Sequence, residues 1–147
     1  MSFLSSLNIV GSALTAHRQR VDLITQNLAN ISTTRTESGG PYVRQLAVLK
    51  EQPLSFENVL SSNLKGNKSK NLGGVIVDKV IASESPLIPV YDPTHPDANE
   101  DGYVMMPNVN RTEEQIDLMA ASRAYEANLT ALNVVKSMAM RAMEIGK

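Results

Sequence analysis

The sequence contains no cysteine and no tryptophan, and its aromatic side chains are four tyrosines and two phenylalanines. Without thiols there is no disulfide framework, thiolate zinc site, iron–sulfur cluster or cysteine nucleophile. Aromatic residues bury the most area per side chain, so the 147 residues can build only a modest core. Such a chain finishes burying its surface against other molecules. Charge of one sign is also lacking: 14 basic side chains nearly cancel 15 acidic ones, leaving a formal net charge of −1. That balance gives no general pull toward nucleic acid or an anionic membrane. No stretch reaches the roughly 18 apolar residues needed to cross a bilayer, so no direct membrane insertion is expected. Residues 1–16 have no basic leader, and Ser5, Ser6 and Asn8 interrupt their apolar run. They read as the first half of an amphipathic helix rather than as a cleaved signal peptide.

Proline is absent from both ends. All seven prolines lie between Pro41 and Pro107, and glycine outside the middle is confined to Gly11 and Gly146. Helix interiors tolerate neither residue well. The expected organisation is therefore an N-terminal helical arm over residues 1–34, a central β and irregular region over 35–110, and a C-terminal helical arm over 111–147. The fold class is α+β, with the two arms paired into one coiled-coil-like domain and a small β-hairpin in a proline-rich middle.

The N-terminal arm carries a seam at Leu7, Val10, Leu14, His17, Val21, Ile24, Leu28 and Ile31. Steps of three and four residues place these on one stripe of a helix packed along its length. In the C-terminal arm the stripe is Leu118, Ala121, Tyr125, Leu129, Leu132, Val135, Ala139 and Ala142. Thr112 and Gln115 have the spacing of a capping box, and Glu113, Glu114 and Asp117 suit the positive end of the helix dipole. The arms would be about 42 and 50 Å long. Paired with each other they hide one face each, and Ile9, Leu23, Met119 and Val134 are expected to face outward. A second continuous apolar stripe calls for a partner. Isolated helices are marginal in water, so the arms are expected to order on polymerisation. In the middle, residues 42–50 and 74–82 read as strands. Residues 63–71 read as a basic loop and 86–107 as irregular.

Catalytic signals are weak. His95 lies between Asp92 and Asp97, but Pro93, Pro96 and the Asx residues fit a rigid turn better than a metal site needing three or four ligands. His17 sits on the seam, where a hydrogen-bonded interface histidine is expected. Met138, Met140 and Met143 suit an adaptable helix interface. Neither Gly39-Gly40 nor Gly73-Gly74 has phosphate-loop context. No catalytic, cofactor-binding or metal residue is assigned, and the chain is not read as an enzyme.

The stretch Ala13 to Asn30, with Asn27-Leu28-Ala29-Asn30 at its core and Thr33-Thr34 after it, resembles the N-terminal signature of the flagellar rod and hook protein family. Residues 107–110 and then Ala121-Ser122-Arg123-Ala124-Tyr125-Glu126-Ala127-Asn128 resemble its C-terminal signature. The element Tyr91-Asp92-Pro93-Thr94-His95-Pro96-Asp97-Ala98, followed by Gly102-Tyr103-Val104, and the short length are similar to the proximal-rod members of that family.

The resemblance implies a structural subunit of the bacterial flagellar basal body. It implies export without a cleaved signal peptide through the flagellar type III apparatus, and helical assembly in the periplasm into a hollow rod that carries torque from motor to hook. Implied partners are copies of the chain, other rod proteins, and the membrane-embedded basal ring with its rod adaptor. The assembly interface would use Leu7, Val10, Leu14, Val21, Ile24, Leu28, Leu118, Tyr125, Leu129, Leu132 and Val135. Arg123 and Glu126 would fix register, and Asn27, Asn30 and Asn128 would cap or bridge backbone groups. The competing expectation is a soluble helical adaptor or secretion chaperone that forms closed oligomers. A small hydrolase built on His95 would need a second catalytic residue that the chain does not offer.

Overall fold

A computed structural model describes residues 3–37, 39–53 and 73–145. Helix α1 spans Phe3–Ala29 and helix α2 spans Arg111–Ile145. Between them lie strands β1 (Gln45–Glu51), β2 (Val75–Ala82), β3 (Ile88–Tyr91) and β4 (Tyr103–Met106). The fold is α+β: two long helices and a small antiparallel strand region. The basic stretch 63–71 lies outside the described residues.

The two helices pack on each other, and α1 also carries β1 and β2. The ion pair between Arg20 and Asp117 and the contact between Asn27 and Glu114 show that they run antiparallel. The start of α1 therefore lies toward the far end of α2. Among the described residues the covered apolar positions are few: Ala16, Ile24, Val104, Pro107, Val109 and Ala121. Two of them are alanines on the helices, so the helix contact is narrow. The modest core that the scarcity of aromatics dictates is what the fold contains.

Several local expectations are corrected. The N-cap of α2 is Asn110, whose Oδ1 accepts from the backbone N–H of Thr112. The helix begins two residues earlier than a Thr112 cap allows, and Thr112 is helical and exposed. An Asx side chain two residues upstream outcompetes the threonine for the same orphan donors. The stretch 86–107 is not irregular throughout, since β3 and β4 pair in it as a hairpin with Ile88 opposite Met106 and Tyr91 opposite Tyr103. Pro89 is tolerated because a two-stranded sheet consists of edges, where a missing N–H can face outward. Gly102, at φ 79°, supplies the positive φ that closes the hairpin.

The β1–β2 hairpin has a register shift between Val48 and Leu49. Its β2 strand starts close against α1. The Ser12 hydroxyl donates to the Ile9 carbonyl and accepts from the Val75 N–H at 3.0 Å. A Cβ on Gly74 would sit 2.0 Å from Ser12 Oγ, so only glycine permits this approach. Because the hairpin covers a second face of α1, Ile9 and Leu23 are partly covered rather than outward-facing. Met119 and Val134, on α2, are exposed.

Candidate assembly surface and its polar anchor

α2 presents a long apolar surface. Met119, Leu129, Val134, Met138, Met140 and Met143 are all exposed, and Phe3 and Leu4 are exposed at the start of α1. Of the seam residues, Ile24 is buried. Leu7, Val10, Leu14, Val21, Leu28, Leu118, Tyr125, Leu132 and Val135 are half-buried, and Leu129 is exposed. Packing within one chain thus buries Ile24 and Ala121 and leaves these other seam positions with surface to cover. A groove of about 340 Å³ between the helices is lined by Arg18, Val21, Ser122, Tyr125 and Glu126.

At the other end of the helix pair sits a buried polar knot. Asn27 and Glu114 are 1% and 0% exposed. The Asn27 amide donates to Glu114 Oε2 at 3.1 Å and to the Gln45 carbonyl at 2.9 Å. Its Oδ1 accepts from the Gln45 N–H at 3.0 Å and from the Tyr42 hydroxyl at 2.8 Å. Arg44 donates from Nε to Glu114 Oε1 at 2.5 Å and reaches Asp117 at 3.4 Å. Arg20 approaches Asp117 from α1 at 3.5 Å. The Arg44 N–H donates to Asn108 Oδ1, and the Asn108 amide donates to the Ser85 carbonyl. Every polar group of Asn27 and Glu114 is partnered, which is the condition for burying them without a large penalty. Burial first, and then the Glu114 carboxylate, push the Tyr42 hydroxyl above its ordinary pKa.

A second tether joins the segment after α1 to the β3–β4 loop. Asp97 pairs with Arg35 at 2.6 Å and accepts from the Thr34 hydroxyl at 2.9 Å. His95 Nδ1 accepts from the Asp97 N–H at 3.1 Å, so this histidine builds a turn. Asp92 closes the same turn by accepting from the Thr94 hydroxyl and N–H. The Thr94 hydrogen bonds hold the Asp92 carboxyl below its usual range. Within the chain, the Nδ1 of His17 is buried and has no hydrogen-bond partner.

Asn30 sits at the end of α1, donating to the Gln26 carbonyl and accepting from the Thr33 hydroxyl. Asn128 donates to the Ala124 carbonyl within α2. Arg123 and Glu126 are exposed. Arg44, Tyr42, Asn108 and the singular role of Glu114 escaped sequence reasoning. Glu113 and Glu114 look alike in a first helical turn, and only the fold separates them.

A family profile described as "Flagella basal body rod protein" matches residues 7–35. Another, "Flagellar basal body rod FlgEFG protein C-terminal", matches residues 100–145. The chain is 46% identical to the flagellar basal-body rod protein FlgC of Bacillus subtilis over the full length of both. It is 41% identical to that of Borreliella burgdorferi over 99% of this chain and 98% of the relative. With that of Escherichia coli O6:H1 it shares 37% over the full length of both. The first matched segment holds α1 from Leu7 onward and its outgoing turn, the second β4 and α2. From end to end, then, the chain belongs to the FlgC family of flagellar basal-body rod proteins.

Proposed function

We propose that this chain is a structural subunit of the flagellar basal-body rod, in its proximal part, and that its two helices supply the cohesion of a helical lattice. The observation that carries this reading is the uncovered apolar length of α2, where Met119, Val134, Met138 and Met143 are 45–67% exposed. Apolar residues exposed in series along one helix mark an interaction surface, unlike the single exposed residues of any protein surface. Covering the exposed half or so of one such side chain stabilises a contact by about 1–2 kcal/mol. A stripe shared among neighbours resists torsion better than a point contact, as a shaft between motor and hook requires. The site residues proposed for that lattice are the half-buried seam positions, with Leu14 and Leu132 near the middle of each stripe.

The remaining elements of the proposal are export through the flagellar type III apparatus, periplasmic assembly, and contact with other rod proteins and with the basal ring and its adaptor. A structural role of this kind asks for no catalytic centre. Purified basal bodies test it: the chain should be present, at the membrane-proximal height of the rod. Basal bodies that lack it in a normally swimming cell would overturn the proposal. So would discrete closed oligomers as its sole assembled form.

A further inference from the structure

We propose that the buried Glu114–Arg44–Asn27 knot is a register pin, which decides where along α1 the helix α2 sits. Among the described elements, α2 packs only on α1. Among the described residues, the polar contacts found between α2 and the rest of the chain cluster in its first two turns, at Glu114 and Asp117. Further along, Asn128, Thr130 and Ser137 bond to the backbone of their own helix. The long remainder of the contact is mostly alanine and aliphatic surface repeating every three or four residues, with His17 and Tyr125 the exceptions on the two stripes. A surface of that kind offers nearly equivalent packing one helical turn away, about 5.4 Å along the axis.

The knot removes the equivalence. A slide of one turn would carry Glu114 away from both Arg44 and Asn27, leaving its carboxylate without partners, taking from the buried Asn27 amide one of its acceptors and from Arg44 its nearer carboxylate. Asn27 is held independently of α2, because Gln45 and Tyr42 satisfy three of its hydrogen bonds. It is a fixed mark on α1 that one position of α2 can meet. Buried ionic groups are weak contributors to net stability, and their best-attested use is to specify register. Asn108, bonded to Arg44 N–H just before α2 starts, holds the entry to the same mark.

The pin acts on the assembly surface from a distance. It sets how far Met138 and Met143 stand from Phe3 and Leu4 at the opposite end, and so the outline that a neighbour meets. Glu114 and Arg44 are on this account positioning residues. The inference concerns one chain and stands or falls apart from the rod reading.

The test is a spin-label distance between Thr15→Cys and Lys136→Cys in the full-length chain, under conditions where circular dichroism reports it helical. Both positions are exposed, and the chain has no native cysteine to compete for label. The parent should give one narrow distance. In the Arg44→Met/Glu114→Leu background, which keeps volume and removes the charges, helicity should persist while a second distance appears, displaced by up to about one turn, 5.4 Å. Glu114→Gln, which keeps an acceptor for the Asn27 amide, should retain the single distance. A double variant that stays helical with the parent's single distance would overturn the inference. A double variant that loses its helicity would overturn it too, since the knot would then supply cohesion rather than register.

Discussion

Truncating Glu114 to alanine should cost far more than truncating any other acidic residue of the chain. Its side chain is 1% exposed, and the Arg44 side chain that it neutralises is 19% exposed. Glu114→Ala removes a 2.5 Å charge-assisted hydrogen bond and one acceptor of the Asn27 amide. It leaves a largely desolvated guanidinium whose remaining carboxylate, Asp117, is 3.4 Å away and 39% exposed. Breaking a fully buried ion pair costs about 3–5 kcal/mol. Arg44 keeps some contact with water and with Asp117, which lowers the expectation to about 2–4 kcal/mol. For a chain of this size that is a fall in melting midpoint of about 6–13 °C, a large part of the 5–15 kcal/mol typical of folded domains. Thermal melting followed by far-ultraviolet circular dichroism measures it. In an Arg44→Met background the same truncation should cost much less, because the stranded charge is gone, and the difference is the coupling energy of the pair. A midpoint within about 2 °C of the parent's would refute the reasoning.

Three further outcomes are expected. Leu14→Asp or Leu132→Asp should abolish motility while the protein is still made, because each puts a charge into a half-buried stripe; normal swimming on soft agar would remove these positions from the interface. Gly74→Ala should destabilise by about 1–3 kcal/mol, since its Cβ would stand 2.0 Å from Ser12 Oγ, and Ser12→Gly in the same chain should recover part of that in urea titrations. Burial and the Glu114 carboxylate raise the Tyr42 pKa above 10.0. The unfolded chain therefore ionises first, and the stability that Tyr42 contributes is intact below that pH and lost as the pH climbs through the folded value. Alkaline denaturation of Tyr42→Phe should lack this component, and identical curves for the two proteins would contradict it.

The helices were legible because proline exclusion and a three-four apolar rhythm are local properties, and α1 and α2 follow them closely. The β1–β2 hairpin was legible from the β-branched run in β2. The β3–β4 hairpin was not, because Pro89 and the dense turn residues around Pro93 and Pro96 hide a pairing that depends only on strand edges. The cap of α2 was misplaced by two residues because Asn110 and Thr112 both offer a side-chain oxygen, and the local sequence does not rank them. The knot was invisible for a different reason. Asn27 and Glu114 are 87 residues apart, and neither carries a local mark of burial. Asn27 was legible as part of a family signature, but the hydrogen bonds that give it a physical task exist only once Tyr42, Gln45 and α2 are in place.

The helix pair has unlike ends. One is closed by interlocking amides, a carboxylate and a guanidinium; the other shows bare phenylalanine, leucine and methionine. A body built this way has a heading. Unlike surfaces that meet without closing a ring propagate a filament, and a column of such units would possess a front and a back from its first layer onward.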